Sequence, residues 1–310
     1  MKPAKKEQSV EEFRKLFPDA AACFEALKAL RWKDGFTCCP GAKAYWLRNH
    51  GKWECAGCGH KTSVTTGTIF EGSANRITTW FEAIWHFTAT KDGCSALELQ
   101  QLLMLPNGDK LVYSTAHSWR KKICGLFPKH QSPPNMSPKP FKSRVTLGLQ
   151  RLRVSGKKYG QPGLVLVAMQ PKNDKQSPDA NGVVRLRSLA DESSKAVIRA
   201  VKSMVASDAQ VITETWEGFK PLKEFFPNHA YLQAAKLPDG AQRTHLSFEL
   251  SDLITGTFRG AVRDLNPYLN EFGYRWNRKV VNKKEVLFQT VLTWAANPLA
   301  RRTRRVPSGR

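Results

Sequence analysis

No run of apolar residues in the 310-residue chain approaches the roughly 18 that a membrane-spanning helix needs. The opening residues, MKPAKKEQSVEEF, are charged and lack an apolar core, so neither a membrane partner nor a signal peptide is expected. The expected compartment is the cytoplasm, or the nucleoid if the chain binds DNA. No internal repeat or low-complexity block interrupts the sequence, and 41% apolar residues can bury a core without staples. Acidic residues are scarce. The 26 Asp and Glu stand against 49 Lys and Arg, a formal charge of +23, and self-repulsion of that size is best tolerated beside a polyanion such as double-stranded DNA. The competing reading is a merely soluble basic surface. The tail ARRTRRVPSGR, with Arg301, Arg302, Arg304 and Arg305, would add phosphate contacts that read no sequence.

Cysteine is present in an odd number, seven, with four residues packed between Cys38 and Cys58. That suits metal or free thiols in a reducing compartment better than a disulfide framework. Cys55 and Cys58 have the Cys-x-x-Cys spacing that lets one tight turn present two thiolates to one ion. The first half of the segment departs from it: Cys38 and Cys39 are adjacent, and Gly41 stands where a partner for Cys38 is expected. Cys23, Cys94 and Cys124 lie on helical faces and read as core thiols.

Apolar spacing predicts helices over roughly 9–16, with Ser9 and Glu12 resembling a capping box, and over 18–30. Short β segments are expected near 44–48, 53–54 and 61–63. Two helices broken at Asp92-Gly93 follow, then a third carrying Arg120, Lys121 and Lys122, together a helix-turn-helix candidate. Its expected DNA contacts are Ser114, His117, Ser118, Arg120, Lys121 and Lys122; the alternative is a solvated charged face. Five prolines between 128 and 140 mark a linker. Beyond it, strand-like runs, a helix, the strand AQVITE and further helices predict an α/β domain with a mixed sheet.

The segments FPDAAACFEALKALRWKDGFTC, WECAGCGHKTSVTTGTIF, WFEAIWHFTATKDGCSALELQ, VITETWEGF, HLSFE and YLNEFGYRWNR, spanning Phe17 to Arg278, resemble bacterial insertion-sequence DDE-type transposases of the subgroup with an N-terminal zinc ribbon. The resemblance implies an α+β and α/β organisation: N-terminal helices (1–34), a zinc-ribbon-like module (35–72), a helix-turn-helix-like DNA-binding segment (77–127), a linker (128–143), an RNase H-like domain (144–297) and a basic tail (298–310). It also implies two knuckles of two thiolates each. Cys38, Cys55 and Cys58 match three of them; Cys39, His50, His60 or water would complete a zinc site, with a histidine or water favoured over adjacent cysteines. The alternative is a metal-free remnant packed by Phe36, Trp46 and Trp53.

In the family, three carboxylates hold two Mg²⁺ ions for phosphodiester cleavage and strand transfer. Counting back from the turn at Ser155-Gly156-Lys157 puts Gln150 and Arg151 where Asp and Glu belong. Glu214 stands in place of the second Asp, one methylene too long, and Ser247 and Glu249 are the offers for the third acid. Glu214 and Glu249 read either as relics of a catalytic site or as solvated acids. Asp191 and Asp252 are near in sequence, but nothing in their spacing recruits them. The expectation is a transposase-like DNA-binding protein, catalytically impaired. The alternatives are an active Mg²⁺-dependent transposase, which would work as at least a homodimer, and a zinc-ribbon interaction or RNA-binding module.

Overall fold

The computed structural model describes residues 5–73, 76–90, 93–129, 131–132, 138–154, 163–170, 182–233, 240–257, 264–281 and 287–297. The basic tail, with Arg301, Arg302, Arg304 and Arg305, and the turn at 155–157 lie outside the described residues. The chain divides into two compact units, Met1–Leu126 with Val286–Arg310, and Phe127–Glu285.

In the first unit, α1 (Lys5–Leu16) and α2 (Ala20–Arg31) are followed by a three-stranded antiparallel sheet, β1 (Ala44–Leu47), β2 (Lys52–Cys55) and β3 (Lys61–Ser63). Helix α1 starts at Lys5, so the expected capping box at Ser9 does not open it. Helix α2 starts where expected because Asp19 accepts a hydrogen bond from the Ala22 N–H at 2.8 Å, satisfying one orphan donor of the first turn. One face of the small sheet carries Trp46 and Trp53 as cross-strand partners. Phe36 stacks on Trp53 at 5.5 Å, and Trp46 Nε1 donates to Glu25 of α2.

Helices α3 (Ile77–Ala89), α4 (Ala96–Leu102) and α5 (Tyr113–Cys124) complete the unit with α9 (Leu287–Ala296). Apolar on nearly every side, α3 buries Trp80, Phe81, Ile84 and Phe87 and acts as a hub. Trp80 stacks on Trp119 of α5 at 4.0 Å, Trp85 meets Phe13 and Phe288, and Phe81 meets Phe17 edge-on. Helix α4 begins with a complete capping box between Ser95 and Glu98. Helix α9, expected in the sheet-containing domain, packs instead with α2 and α3, because Phe288 finds its aromatic partners there. No helix among the described residues is long and apolar enough to cross a membrane.

The second unit holds a mixed five-stranded sheet, ordered β6-β5-β4-β7-β8. Its strands are β4 (Val145–Leu152), β5 (Gly163–Gln170), β6 (Val183–Leu189), β7 (Val211–Thr213) and β8 (His229–Tyr231). The first three pair antiparallel; β7 runs parallel to β4, and β8 parallel to β7. Helix α6 (Ser194–Met204), N-capped by Ser193, connects β6 to β7. Its Val197, Val201 and Met204 close a core over Val145, Leu147, Leu166 and Ala168. Helices α7 (Gly240–Asp252) and α8 (Asn266–Val281) follow β8. Part of the segment read as a linker is built into this unit: Gln131, Ser132 and Phe141 are buried.

Candidate functional site

Four thiols come together in the small sheet. The sulfurs of Cys38, Cys39, Cys55 and Cys58 all lie within 4.8 Å of one another. Cys55 ends β2, and the Gly59 N–H returns to its carbonyl at 2.8 Å, closing the tight turn that carries Cys58. The other knuckle is a turn as well. The Ala42 N–H donates to the Cys39 carbonyl at 3.1 Å, with Pro40 and Gly41 at its centre and Gly41 at φ +73°. Proline then glycine at those places is the signature of a type II turn, which needs a positive φ at its third residue.

That turn corrects the sequence reading. The tight loop spans Cys39 to Ala42, so the place matching Cys58 is Ala42 rather than Gly41, and Cys38, one residue outside the turn, brings the fourth sulfur. A Cβ on Gly57 would meet the Ala42 Cβ at 3.0 Å and Cys55 Sγ at 3.8 Å, so Ala42 borders the cluster. The expected histidine or water is displaced: among the described residues the cluster is made of cysteines, and exposed His60 contributes its backbone carbonyl to the Cys55 N–H.

The donor set fits zinc. A tetrahedral ion with Zn–S near 2.3 Å sets its sulfurs about 3.8 Å apart, and Cys38 Sγ lies 3.7 Å from Cys58 Sγ. The backbone N–H groups of Cys58 and Gly57 point at the Cys55 sulfur and pull its pKa down to about 6. Shared hydrogen bonds with the Cys58, Cys55 and Cys38 thiols push Cys39 up to about 12, and Cys38 is raised chiefly by Cys58. One sulfur thus holds charge while its neighbours hold protons for it, an arrangement that a divalent cation relieves.

The carboxylates expected for phosphodiester chemistry do not converge. Glu214 follows β7, and continuing the β4–β7 register, in which Leu147 faces Thr213, sets Gly148 beside it. Arg243 of α7 occupies that corner. Its Nη2 lies 3.8 Å from Glu214 Oε1, and a Cβ on Gly148 would run into the same nitrogen. Gln150 donates from Nε2 to the Ser247 carbonyl at 2.9 Å. Arg151 pairs with Glu192 at 2.8 Å, and Glu249 faces His245 at 3.7 Å on its own helix. Asp191 caps the turn before α6 through the Ser193 N–H. Among the described residues, the four cysteines form the single group of three or more metal-donor side chains.

The expected DNA contacts divide in two. Ser114, His117, Ser118, Lys121 and Lys122 are exposed along α5 with Tyr113. Arg120 is turned inward, 4% exposed, and donates from Nε to the Cys94 carbonyl at 2.8 Å. It lies on the side of α5 that buries Ala116, Trp119 and Ile123.

Neither Arg243 nor Gly148 carries a local sequence signal for this corner, because their approach to Glu214 depends on strand pairing and helix placement across long separations.

Residues 18–61 match the family model of the transposase zinc-ribbon domain. No curated protein matches the chain. The chain therefore carries, over residues 18–61, a segment similar to the transposase zinc-ribbon domain, and the four-cysteine cluster lies within that segment.

Proposed function

We propose that the chain is a double-stranded DNA-binding protein of transposase ancestry whose metal-dependent cutting and joining chemistry is impaired. One observation carries the catalytic part of this reading: the guanidinium of Arg243 lies against both Gly148 and Glu214, on the helix whose Ser247 carbonyl takes the Gln150 amide. Two-metal catalysis needs anionic oxygens converging on divalent ions. Here a tethered cation stands against the surviving carboxylate, and a second positive charge arriving beside it is repelled.

Three further features support ancestry and DNA binding. The strand order β6-β5-β4-β7-β8, an antiparallel meander followed by a helix and two strands parallel to β4, is the arrangement expected of an RNase H-like domain. The short helices α4 and α5, with an exposed row from Tyr113 to Lys122, suit a helix-turn-helix set in a major groove. The excess of 23 positive charges suits the phosphate backbone.

On linear and supercoiled duplex, the purified protein is expected to give no cleavage or strand transfer with millimolar magnesium or manganese. Cleavage that vanishes in Glu214→Ala would overturn the catalytic part of the proposal. Duplex binding is expected to weaken by roughly 10³-fold between low and moderate salt if about six phosphates are neutralised. Replacing Lys121 and Lys122 with Ala should make that salt slope shallower by about one per lysine. Binding indifferent to salt would remove the DNA assignment.

The corner supplies its own test. Arg243→Ala with Gly148→Asp removes the resident cation and sets a second carboxylate beside Glu214. The double variant is expected to bind Mn²⁺, read by the loss of the free-ion paramagnetic signal, whereas the parent leaves that signal unchanged.

A further inference from the structure

Helix α6 buries Val197, Ala200, Val201 and Met204 along one side. With about 3.6 residues per turn, Lys195, Arg199 and Lys202 fall within an arc of about 60° on the opposite side, and all three are exposed. They follow one another at intervals of one turn, so Lys195 neighbours Arg199 and Arg199 neighbours Lys202. Like charges at those spacings destabilise a helix. The two acids that precede the helix serve other partners: Asp191 accepts from the Ser193 N–H, and Glu192 pairs with Arg151 at 2.8 Å.

A ring sets Lys202 in place. Its Nζ lies 3.6 Å from the centroid of the exposed Phe225, so a cation–π contact holds the ammonium at the surface. The row rises about 10 Å along the helix axis, close to about three phosphate steps along one strand of a duplex. On its buried side, α6 closes the core over Val145 and Leu147, and side chains alternate along a strand. Gly148 and Gln150 therefore face the other side of β4, where Arg243 lies. The cationic row and the Arg243 corner occupy opposite faces of one sheet.

We propose that this row on α6 is a sequence-independent contact for the phosphate backbone of double-stranded DNA, in addition to the contact of α5. Charge complementarity selects the occupant. A polyanion offers a negative group at every step of the row and turns two repulsive side-chain pairs into shared attraction. A duplex, stiff and evenly charged, presents those groups in a line, as a straight helix presents its cations. Two lysines and an arginine on phosphates fix register and orientation without reading bases. The identity of the partner rests on the DNA-binding reading proposed above; the position of the row does not.

The test measures binding of the full chain to a labelled duplex of arbitrary sequence, by fluorescence anisotropy across a salt series. Lys195→Ala, Arg199→Ala and Lys202→Ala together are expected to make the slope of log affinity against log salt shallower by about 2.7, three phosphates at about 0.9 each. Over a fourfold rise in salt the parent should then lose about 40-fold more affinity than the variant. Arg14→Ala, Lys15→Ala and Lys33→Ala, the same loss of charge at exposed positions elsewhere, should leave the slope unchanged. Because the row repels itself, its removal should hold or raise the melting temperature, whereas a merely structural role would lower it. If the triple variant melts earlier, Lys195→Ala with Arg199→Ala, which leaves Lys202 on its ring, replaces it and must flatten the slope by about 1.8.

A slope that the α6 substitutions leave intact, or that the control substitutions flatten equally, overturns the contact. An acidic peptide that binds the parent but not the α6 variant, with duplex affinity equal in the two, gives this face to a protein partner and overturns it as well. Duplex binding whose slope responds to Lys121→Ala with Lys122→Ala but not to the α6 changes rejects the row and spares the DNA assignment. A parent that binds no duplex at any salt removes both.

Discussion

Cys38→Ala is expected to weaken zinc binding by more than about a hundredfold, and Ala42→Cys added to the same chain is expected to restore it. The argument starts from the turn. Its hydrogen bond joins Cys39 to Ala42, so Cys39 and a residue at 42 stand as Cys55 and Cys58 do in the other knuckle. Cys38 reaches the cluster from outside this frame, 3.7 Å from Cys58. Structural zinc in small domains binds with roughly 10–16 kcal/mol of apparent free energy, so an even share per thiolate is about 3 kcal/mol, more than a hundredfold in affinity. Competition against a chromophoric chelator measures the loss. Tryptophan fluorescence reports the fold, because Trp46 and Trp53 sit on the same three strands. His60→Ala, which leaves the backbone carbonyl in place, should change neither signal. Full zinc retention by Cys38→Ala would return the fourth position to a histidine or water.

Acid should act on the same centre with a definite sign. Cys55 has its pKa lowered from 9.0 to about 6 by the N–H groups of Cys58 and Gly57. Its contribution to the folded ribbon is therefore complete above pH 9 and is lost as pH falls through about 6. Zinc binding, which requires thiolates, is expected to weaken over the acid side of that range.

Much of the fold is legible in the local chemistry of the sequence. Strand β5 is a continuous apolar run bounded by Gly163 and Gln170, and it forms over those residues. Helix α3 announces itself by aromatic residues at helical spacing, and α6 by Ser193 followed by Val197 and Val201. The inward turn of Arg120 was also readable, since Ala116, Trp119 and Ile123 recur at helical intervals around it; grouping it with Lys121 and Lys122 as a charge run hid that periodicity. What stayed hidden depends on pairing across long separations. The register that sets Gly148 beside Glu214 comes from a parallel pair of strands more than sixty residues apart in sequence, and no local signal indicates that Arg243 lies over them. Likewise, the sequence shows Gly41 as a missing cysteine, whereas the backbone uses it as the left-handed residue of a turn.

Asn277→Leu is expected to destabilise the sheet-containing unit by roughly 3–9 kcal/mol, because three buried backbone groups lose their partner and each costs about 1–3 kcal/mol when left unpaired. Asn277, fully buried in α8, donates to the Gln131 carbonyl at 2.9 Å and the Val184 carbonyl at 2.8 Å, and accepts from the Val184 N–H at 2.8 Å. Gln131 does the same for Leu186, donating at 2.7 Å and accepting at 2.8 Å. Asn266 accepts from the Ser188 N–H at 3.3 Å. Val184, Leu186 and Ser188 are alternate residues of β6, the last strand on that side of the sheet. Three side-chain amides therefore meet the outer edge of β6 where a sixth strand would pair, which denies that edge to other chains. Leu shares the branched heavy-atom skeleton of Asn but offers neither donor nor acceptor, so the edge groups must reach water or remain unmet. A stability loss of this size is a large fraction of what a domain of ordinary stability possesses. It should appear as an early transition in urea unfolding, with the oligomeric state rising as the edge opens. Asn266→Ala, which removes one longer hydrogen bond at a half-buried residue, should cost less. If Asn277→Leu unfolds within about 0.5 kcal/mol of the parent, the range of ordinary surface changes, the amides do not protect the edge, and β6 is held by its pairing with β5 alone.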